Sequence, residues 1–395
     1  MRHFSHNHPV RAAPFILAIS VAAGLILSAP FVGQARALIR QTFPGHFVLV
    51  VGSIVAAGLT VALLAAVLRI RERRAKRYGA IALAILIAAA YAIRNAGDNP
   101  ESNVVELFHF LQYGLISLLF YRAWRPLGDL SVVLLTALSG LMVGTVEEWL
   151  QWFVPNRVGE MKDVLLNLVA IGCGLLFSLA VDPPERRLTA LPAASRRRVA
   201  VMASAAVLVF AAFFHIVHLG YRVDDPEIGS FVTRYSSEQL LGVQRHRTTE
   251  WAAAPPPVVL VRLSREDQYL TEGIQHVRWR NKLWEAGDVR GSWLENRILE
   301  KYYEPVLNTP THEGAGHRWP PAQRADAVSR ASNASTPEPY VSAAYPYTIH
   351  TWPKGLFWTA VGVFATVLLI LTRRRRPLDQ SINRSADLTI GRISD

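Results

Sequence analysis

Between residues 104 and 167 an otherwise apolar stretch carries side chains able to bind polar groups or move protons. Glu106, His109 and Tyr113 are spaced three and four apart, which puts them on one face of a helix. Glu147, Glu148 and Gln151 follow, then Arg157, then Asp163 and Asn167 four apart. Carboxylates, an imidazole, a phenol and a guanidinium could hold a ligand through charge-assisted hydrogen bonds. They could also do acid–base chemistry, with His109 and Glu106 as a general acid–base pair and Glu148 as a second carboxylate. His109, Glu148 and Asp163 are the groups that could hold a divalent ion. No spacing matches H-E-x-x-H, and no nucleophile elbow, P-loop or Gly-rich dinucleotide signature is present, so no metal and no cofactor is expected.

The elements that position these groups are apolar. The chain is 51% hydrophobic and 18% charged, with mean hydropathy +0.20. Apolar runs fall at about 14–32, 46–68, 78–93, 104–120, 130–152, 163–181, 198–217 and 355–372. Runs of this length are candidate transmembrane helices. The expected fold is an all-α polytopic membrane protein with about eight spans and a small α-rich extracytoplasmic domain between the last two. Residues 1–98 read as a three-span scaffold and 99–182 as the polar three-span core. Residues 183–218 read as the seventh span, 219–354 as the extracytoplasmic domain, and 355–395 as the last span with its tail.

The net charge of +12 does not point to nucleic acid. Basic clusters at 69–77, 186–187, 196–198 and 373–376 sit at ends of apolar runs, whereas residues 221–354 carry 16 acidic and 16 basic side chains. That is the positive-inside pattern. It places both termini in the cytoplasm of a bacterial-type inner membrane and residues 219–354 outside. Arg36 and Arg40, in the first outer loop, are the exceptions. The first run also has features of a signal peptide, with Ala-Arg-Ala at 35–37; an uncleaved span is the expectation. Cys173 is the single cysteine, so no disulfide forms within the chain.

This topology puts the polar groups of spans four, five and six in the outer third of their helices. Ionisable groups in a bilayer are costly unless paired or hydrated, and they face a bundle interior or cavity. A polar pocket open to the outer face follows. The competing reading is a network that only ties three helices together, with Pro155 ending a helix. Gly140 and Gly144, four apart before Glu148, allow close helix approach.

In the outer segment, YRVDDPEIGSF reads as turn-rich and PPPVVLVRL (255–263) as a short strand. A helix is expected from Ser264 with SRED as its cap, and a second from about Ser292 after Gly287–Asp288. Residues 308–345 read as irregular chain. His215 and His218 read as interfacial polar residues, and Trp279, Trp284 and Trp293 as packing groups.

The pattern E-x-x-H-x-x-x-Y, then E-E-x-x-Q-x-x-x-P-x-R, then D-x-x-x-N over about 100–181 resembles the VanZ-like family. That family's founding member is linked to low-level teicoplanin resistance. The matching positions are Glu106, His109, Tyr113, Glu148, Gln151, Pro155, Arg157, Asp163 and Asn167. Glu106 stands where many relatives have lysine, Gln112 where an acid is common, and Ala170 where glycine is common. The resemblance implies handling of an envelope molecule: a lipid head group, a lipid-linked glycan precursor or a glycopeptide. Membrane lipids are the other expected partner. An intramembrane enzyme acting on a lipid-linked substrate is the alternative function.

Overall fold

The computed structural model describes residues 12–154, 159–184, 191–254, 268–310, 316–332, 339–345 and 347–371. The strand expected at 255–263 and the cap at 264–267 lie outside the described residues, as do Pro155 and Arg157.

The chain is a helical, membrane-embedded protein. Its first part is α1 (Ala12–Ser28), α2 (Val32–Thr42), α3 (Phe47–Arg69), α4 (Arg74–Asn95), α5 (Pro100–Trp124), α6 (Ser131–Trp152), α7 (Met161–Val181) and α8 (Ala193–His218). A short 3-10 turn with Pro30 joins α1 to α2. Among the described residues, seven segments are long and apolar enough to cross a membrane, α1 and α2 counting as one. The eighth expected run forms a 17-residue helix, Lys354–Ile370. At 1.5 Å per residue it is roughly 25 Å long, near the lower limit for a span.

Apolar side chains such as Leu49, Val61, Leu64, Leu68, Leu86 and Ile93 stand exposed on α3 and α4. In water such surfaces would drive association, whereas in a bilayer they face lipid. In α6 and α7, 61% of the most apolar window is buried by protein, against 11% in α3 and α4. The core is therefore α5–α7, with α8 against α6 and with α1, α3 and α4 against the outside of α5 and α7.

Small residues set the closest approaches. A Cβ on Gly174 of α7 would lie 2.8 Å from Gly114 Cα and 2.7 Å from Ser117 Cβ of α5. One on Gly140 of α6 would meet Ile171 of α7 at 2.7 Å. Without lipid-excluded hydrophobic drive, close packing of this kind is what holds spans together. Ser117 Oγ adds a bond to Ile171 O at 3.0 Å.

Arg40, an exception to the charge rule, is ion-paired with Glu101 at the start of α5, and its guanidinium lies over Phe47. Asn99 caps α5 by accepting from Glu101 N at 3.0 Å, and Asn103 bonds both backbone groups of Gly97.

The segment read as turn-rich is a β-hairpin, β1 (Tyr221–Asp225) with β2 (Gly229–Thr233), pairing Tyr221 with Thr233 and Asp225 with Gly229. The local signals are strong turn formers, and Asp225 Oδ1 takes the Glu227 N–H at 3.0 Å. Gly229 has φ +118°, and a Cβ there would lie 2.3 Å from Tyr340 O. Chain around Tyr340–Ser342 pairs with Ser230 at 2.8 Å on both sides, a long-range partner no local pattern announces.

The rest of the domain is α9 (Ser237–Ala253), α10 (Gln268–Glu285), α11 (Val289–Tyr302) and α12 (Pro321–Ser332), leading to α13 (Lys354–Ile370). Ser236 and Gln239 form a capping box on α9. α11 begins before Ser292 because Asp288 caps it, accepting from Gly291 N at 2.8 Å. α12 corrects the irregular reading of 308–345. Its sequence is polar, and it is held on α11 by the Arg324–Glu300 ion pair.

Leu240, Tyr269, Ile298, Leu299, Tyr303 and Val306 form the core of this domain. Within it Glu272, 1% exposed, accepts from Thr233 Oγ1 (2.6 Å), Arg234 N (2.9 Å), Gln268 Nε2 (3.0 Å), Tyr303 OH (2.9 Å) and Tyr345 OH (2.5 Å). Burial first, then the Glu272 charge, pushes the Tyr303 and Tyr345 phenols well above their ordinary range. Five donors on one carboxylate tie the hairpin, α10, the chain just after α11 and the returning chain together.

Candidate functional site

The polar groups of α5, α6 and α7 meet at the end of the bundle that carries this domain, and they form two layers. The inner layer is buried. Tyr113 OH donates to Glu147 Oε2 at 2.8 Å, and Gln151 Nε2 donates to Glu147 Oε1 at 2.8 Å and Glu148 Oε1 at 2.9 Å. Glu147, Glu148, Gln151 and Tyr113 are all at most 6% exposed. Gln151 follows the two glutamates by four and three residues, one helical turn, so a single amide spans both carboxylates. Gly144 makes room for this layer: a Cβ there would lie 3.1 Å from Asn167 Cβ and 3.4 Å from the Tyr113 ring.

The outer layer is partly open. His109 Nδ1 and Asn167 Oδ1 are 3.0 Å apart, so Nδ1 carries the proton and donates. The His109 ring lies parallel to Tyr113 with centroids 6.3 Å apart. Glu106 pairs with Lys162 at 3.8 Å, both partly exposed. Asp163 lies within electrostatic range of Glu160, His109, Lys162 and Glu106. Tyr91 of α4 is in range of Glu106 and Asp163 and packs edge-on against Phe110.

The geometry revises the pairing expected from spacing. Glu106 and His109 share a face but are not partners: Glu106 turns to Lys162 and His109 to Asn167. The acid–base pair expected from adjacency is therefore not assembled. Among the described residues no group of three or more His, Cys, Asp and Glu side chains could hold a metal ion, so His109, Glu148 and Asp163 do not converge as a ligand set. Lys162, Glu160 and Tyr91 were missed. Lys162 is the residue before Asp163 and could have been included on that ground; Tyr91 comes from another span and had no local signal.

The connection between α6 and α7 is pinned at both ends of its described part. α6 ends with Phe153 N bonded to Leu150 O (3.0 Å) and Val154 N to Gln151 O (2.9 Å). Gly159 then passes so close to α6 that a Cβ would lie 2.0 Å from Glu148 O.

The domain clamps this end of the bundle. His218, 3% exposed, accepts from Met161 N at 3.0 Å through Nε2, and its Nδ1 donates to Thr348 O at 2.9 Å. It is thus a joint between α7, α8 and the returning chain and not a loose interfacial group. Trp152 Nε1 donates to Tyr347 OH at 3.3 Å, and Trp152, Val164, Phe213, Val217, Tyr347 and Ile349 form one apolar cluster across the boundary. His215 lies at the periphery and accepts from Trp358 Nε1 at 3.3 Å. The tryptophans of α10 and α11 serve packing: Trp284 packs at a tilt against Trp319, and Arg324 lies over Trp293.

No protein-family model, no curated protein and no solved structure matches this chain.

Proposed function

We propose that the outer layer binds a polar group of a cell-envelope molecule, in the manner the resemblance to the VanZ-like family implies. The supporting observation is the division into two layers. In the inner layer Tyr113, Glu147, Glu148 and Gln151 are buried and hydrogen-bonded to one another, which holds α5 to α6. The outer layer leaves Glu106, Asp163 and Glu160 partly accessible around His109. Ionised carboxylates only accept hydrogen bonds, so the ligand brings donors: sugar hydroxyls, amides or an ammonium group. A lipid head group, a lipid-linked glycan or a glycopeptide has this chemistry. Arg157, which the sequence puts between α6 and α7, is a residue type suited to a phosphate or carboxylate of the same molecule. The domain end of the bundle then faces outward, with both termini in the cytoplasm.

The test uses a strain in which deletion of the gene alters glycopeptide susceptibility or the envelope lipid profile. Complementation with Asp163→Asn or Arg157→Ala should fail while the protein remains at normal level in the membrane. If both variants complement fully, the site does not bind a ligand and the network is structural. Turnover of a lipid-linked precursor by the purified protein, lost in Glu148→Gln, would instead favour the enzyme reading.

A further inference from the structure

At the opposite end of the bundle from the polar layers, a cleft of about 1060 Å³ opens between α5, α6, α8 and α13. Its upper wall is the first turn of α8. Ala193 and Ala194, the first two residues of that helix, line it, with Arg197 and Arg198 one turn on. The α8 N-terminus has no side-chain capping bond and no acid in its first turn. Its first-turn N–H groups and positive dipole end favour an anion beside them. Neither Arg197 nor Arg198 has a hydrogen-bonding or ionic partner among the described residues. Deeper in, the lining is aliphatic, with Met202 on α8 and Leu369 on α13.

The turn is also held rigidly. Ser195 Oγ donates to buried Asp129 Oδ2 at 2.6 Å, and Asp129 Oδ1 takes the Ser131 N–H at 2.7 Å. Asp129 thereby anchors the first turn of α8 to the start of α6, and it makes no ion pair with Arg197 or Arg198 among the described residues.

We infer that this cleft holds an anionic phospholipid, its phosphate between the α8 N-terminus and Arg197 and Arg198 and its upper acyl chains against Met202 and Leu369. A guanidinium pair recognises phosphate in bidentate fashion. Basic pockets between spans at the basic end of a membrane protein suit such head groups. The aliphatic floor selects an amphiphile over a free anion. This site stands apart from the polar layers, and its test does not depend on theirs.

The experiment titrates the full-length protein in detergent with phosphatidylglycerol, phosphatidylcholine and soluble glycerol 3-phosphate, reading retained lipid by native mass spectrometry and the unfolding midpoint. Phosphatidylglycerol should be retained and raise the midpoint, and the other two should do neither. Arg197→Ala with Arg198→Ala should weaken retention about tenfold. Ala194→Glu places an acid in the first turn, which favours the helix and repels phosphate, so it should keep the lipid-free midpoint and lose phosphatidylglycerol. If Ala194→Glu retains phosphatidylglycerol like the parent protein, or if phosphatidylcholine is retained equally, the inference fails. Equal response to glycerol 3-phosphate would make this a soluble-anion site and overturn the lipid assignment.

Discussion

The Tyr113 hydroxyl on α5 donates to Glu147 Oε2 on α6 at 2.8 Å, in a place where neither group reaches water. Removing the phenolic oxygen leaves a buried carboxylate oxygen without its donor. Tyr113→Phe should therefore cost about 1–3 kcal/mol. Thermal unfolding in detergent measures it, and an unchanged midpoint would mean that this bond does not hold the two helices together.

The α5–α7 contact depends on Gly174, which faces Gly114 and Ser117. A side chain at 174 has no space, since its Cβ would already lie 2.8 Å from Gly114 Cα. Gly174→Val should separate the helices and lower the yield of folded protein sharply. Gly172 of the same helix has open space around it, so Gly172→Ala should be tolerated. Fluorescence-detected size exclusion on both variants compares them directly; equal profiles would refute the packing argument.

His218 is the point where the domain grips the start of α7. His218→Phe keeps the ring but loses both the Met161 N–H and the Thr348 carbonyl bonds. Limited proteolysis should then cut the returning chain near Thr348 faster than in the parent, and an equal rate would show that His218 does not hold it. Because Met161 immediately precedes Lys162 and Asp163, the same variant should weaken any ligand bound at the outer layer.

The domain should also be acid-sensitive through Asp225. Its burial raises the carboxyl pKa, but the Lys301 ammonium, the Tyr302 hydroxyl and the Glu227 N–H outweigh that and hold it at about 2, against 3.8 ordinarily. The unfolded chain then takes up this proton at higher pH than the folded domain does. The stabilisation is complete above 3.8 and is lost as pH falls toward about 2. Asp225→Asn should flatten that part of the stability curve relative to the parent. Tryptophan fluorescence between pH 5 and 2 reads the difference, and parallel curves would show that Asp225 is not responsible.

Much of the architecture could be read without coordinates because membrane spans are local. A run of apolar residues long enough to cross a bilayer declares itself within about 20 positions. A helix also puts Glu106, His109 and Tyr113 on one face whatever lies beside it. Capping is local too, so the break at Gly287–Asp288 was visible. The β-hairpin was not, because its strands are short and one is completed by Tyr340–Ser342 more than a hundred positions away. Nor was α12, whose polar sequence becomes helical against α11.

The sequence alone determined that costly polar groups would sit in three neighbouring spans. Which of them would pair was decided only by tertiary structure. Glu106 and His109 are adjacent on their helix, yet each finds its partner on α7, because helix rotation and the glycine-set distances fix which side chains meet. Side chains on one helix face share a direction; a hydrogen bond needs a donor and an acceptor about 3 Å apart, and only the packing of a second helix supplies that.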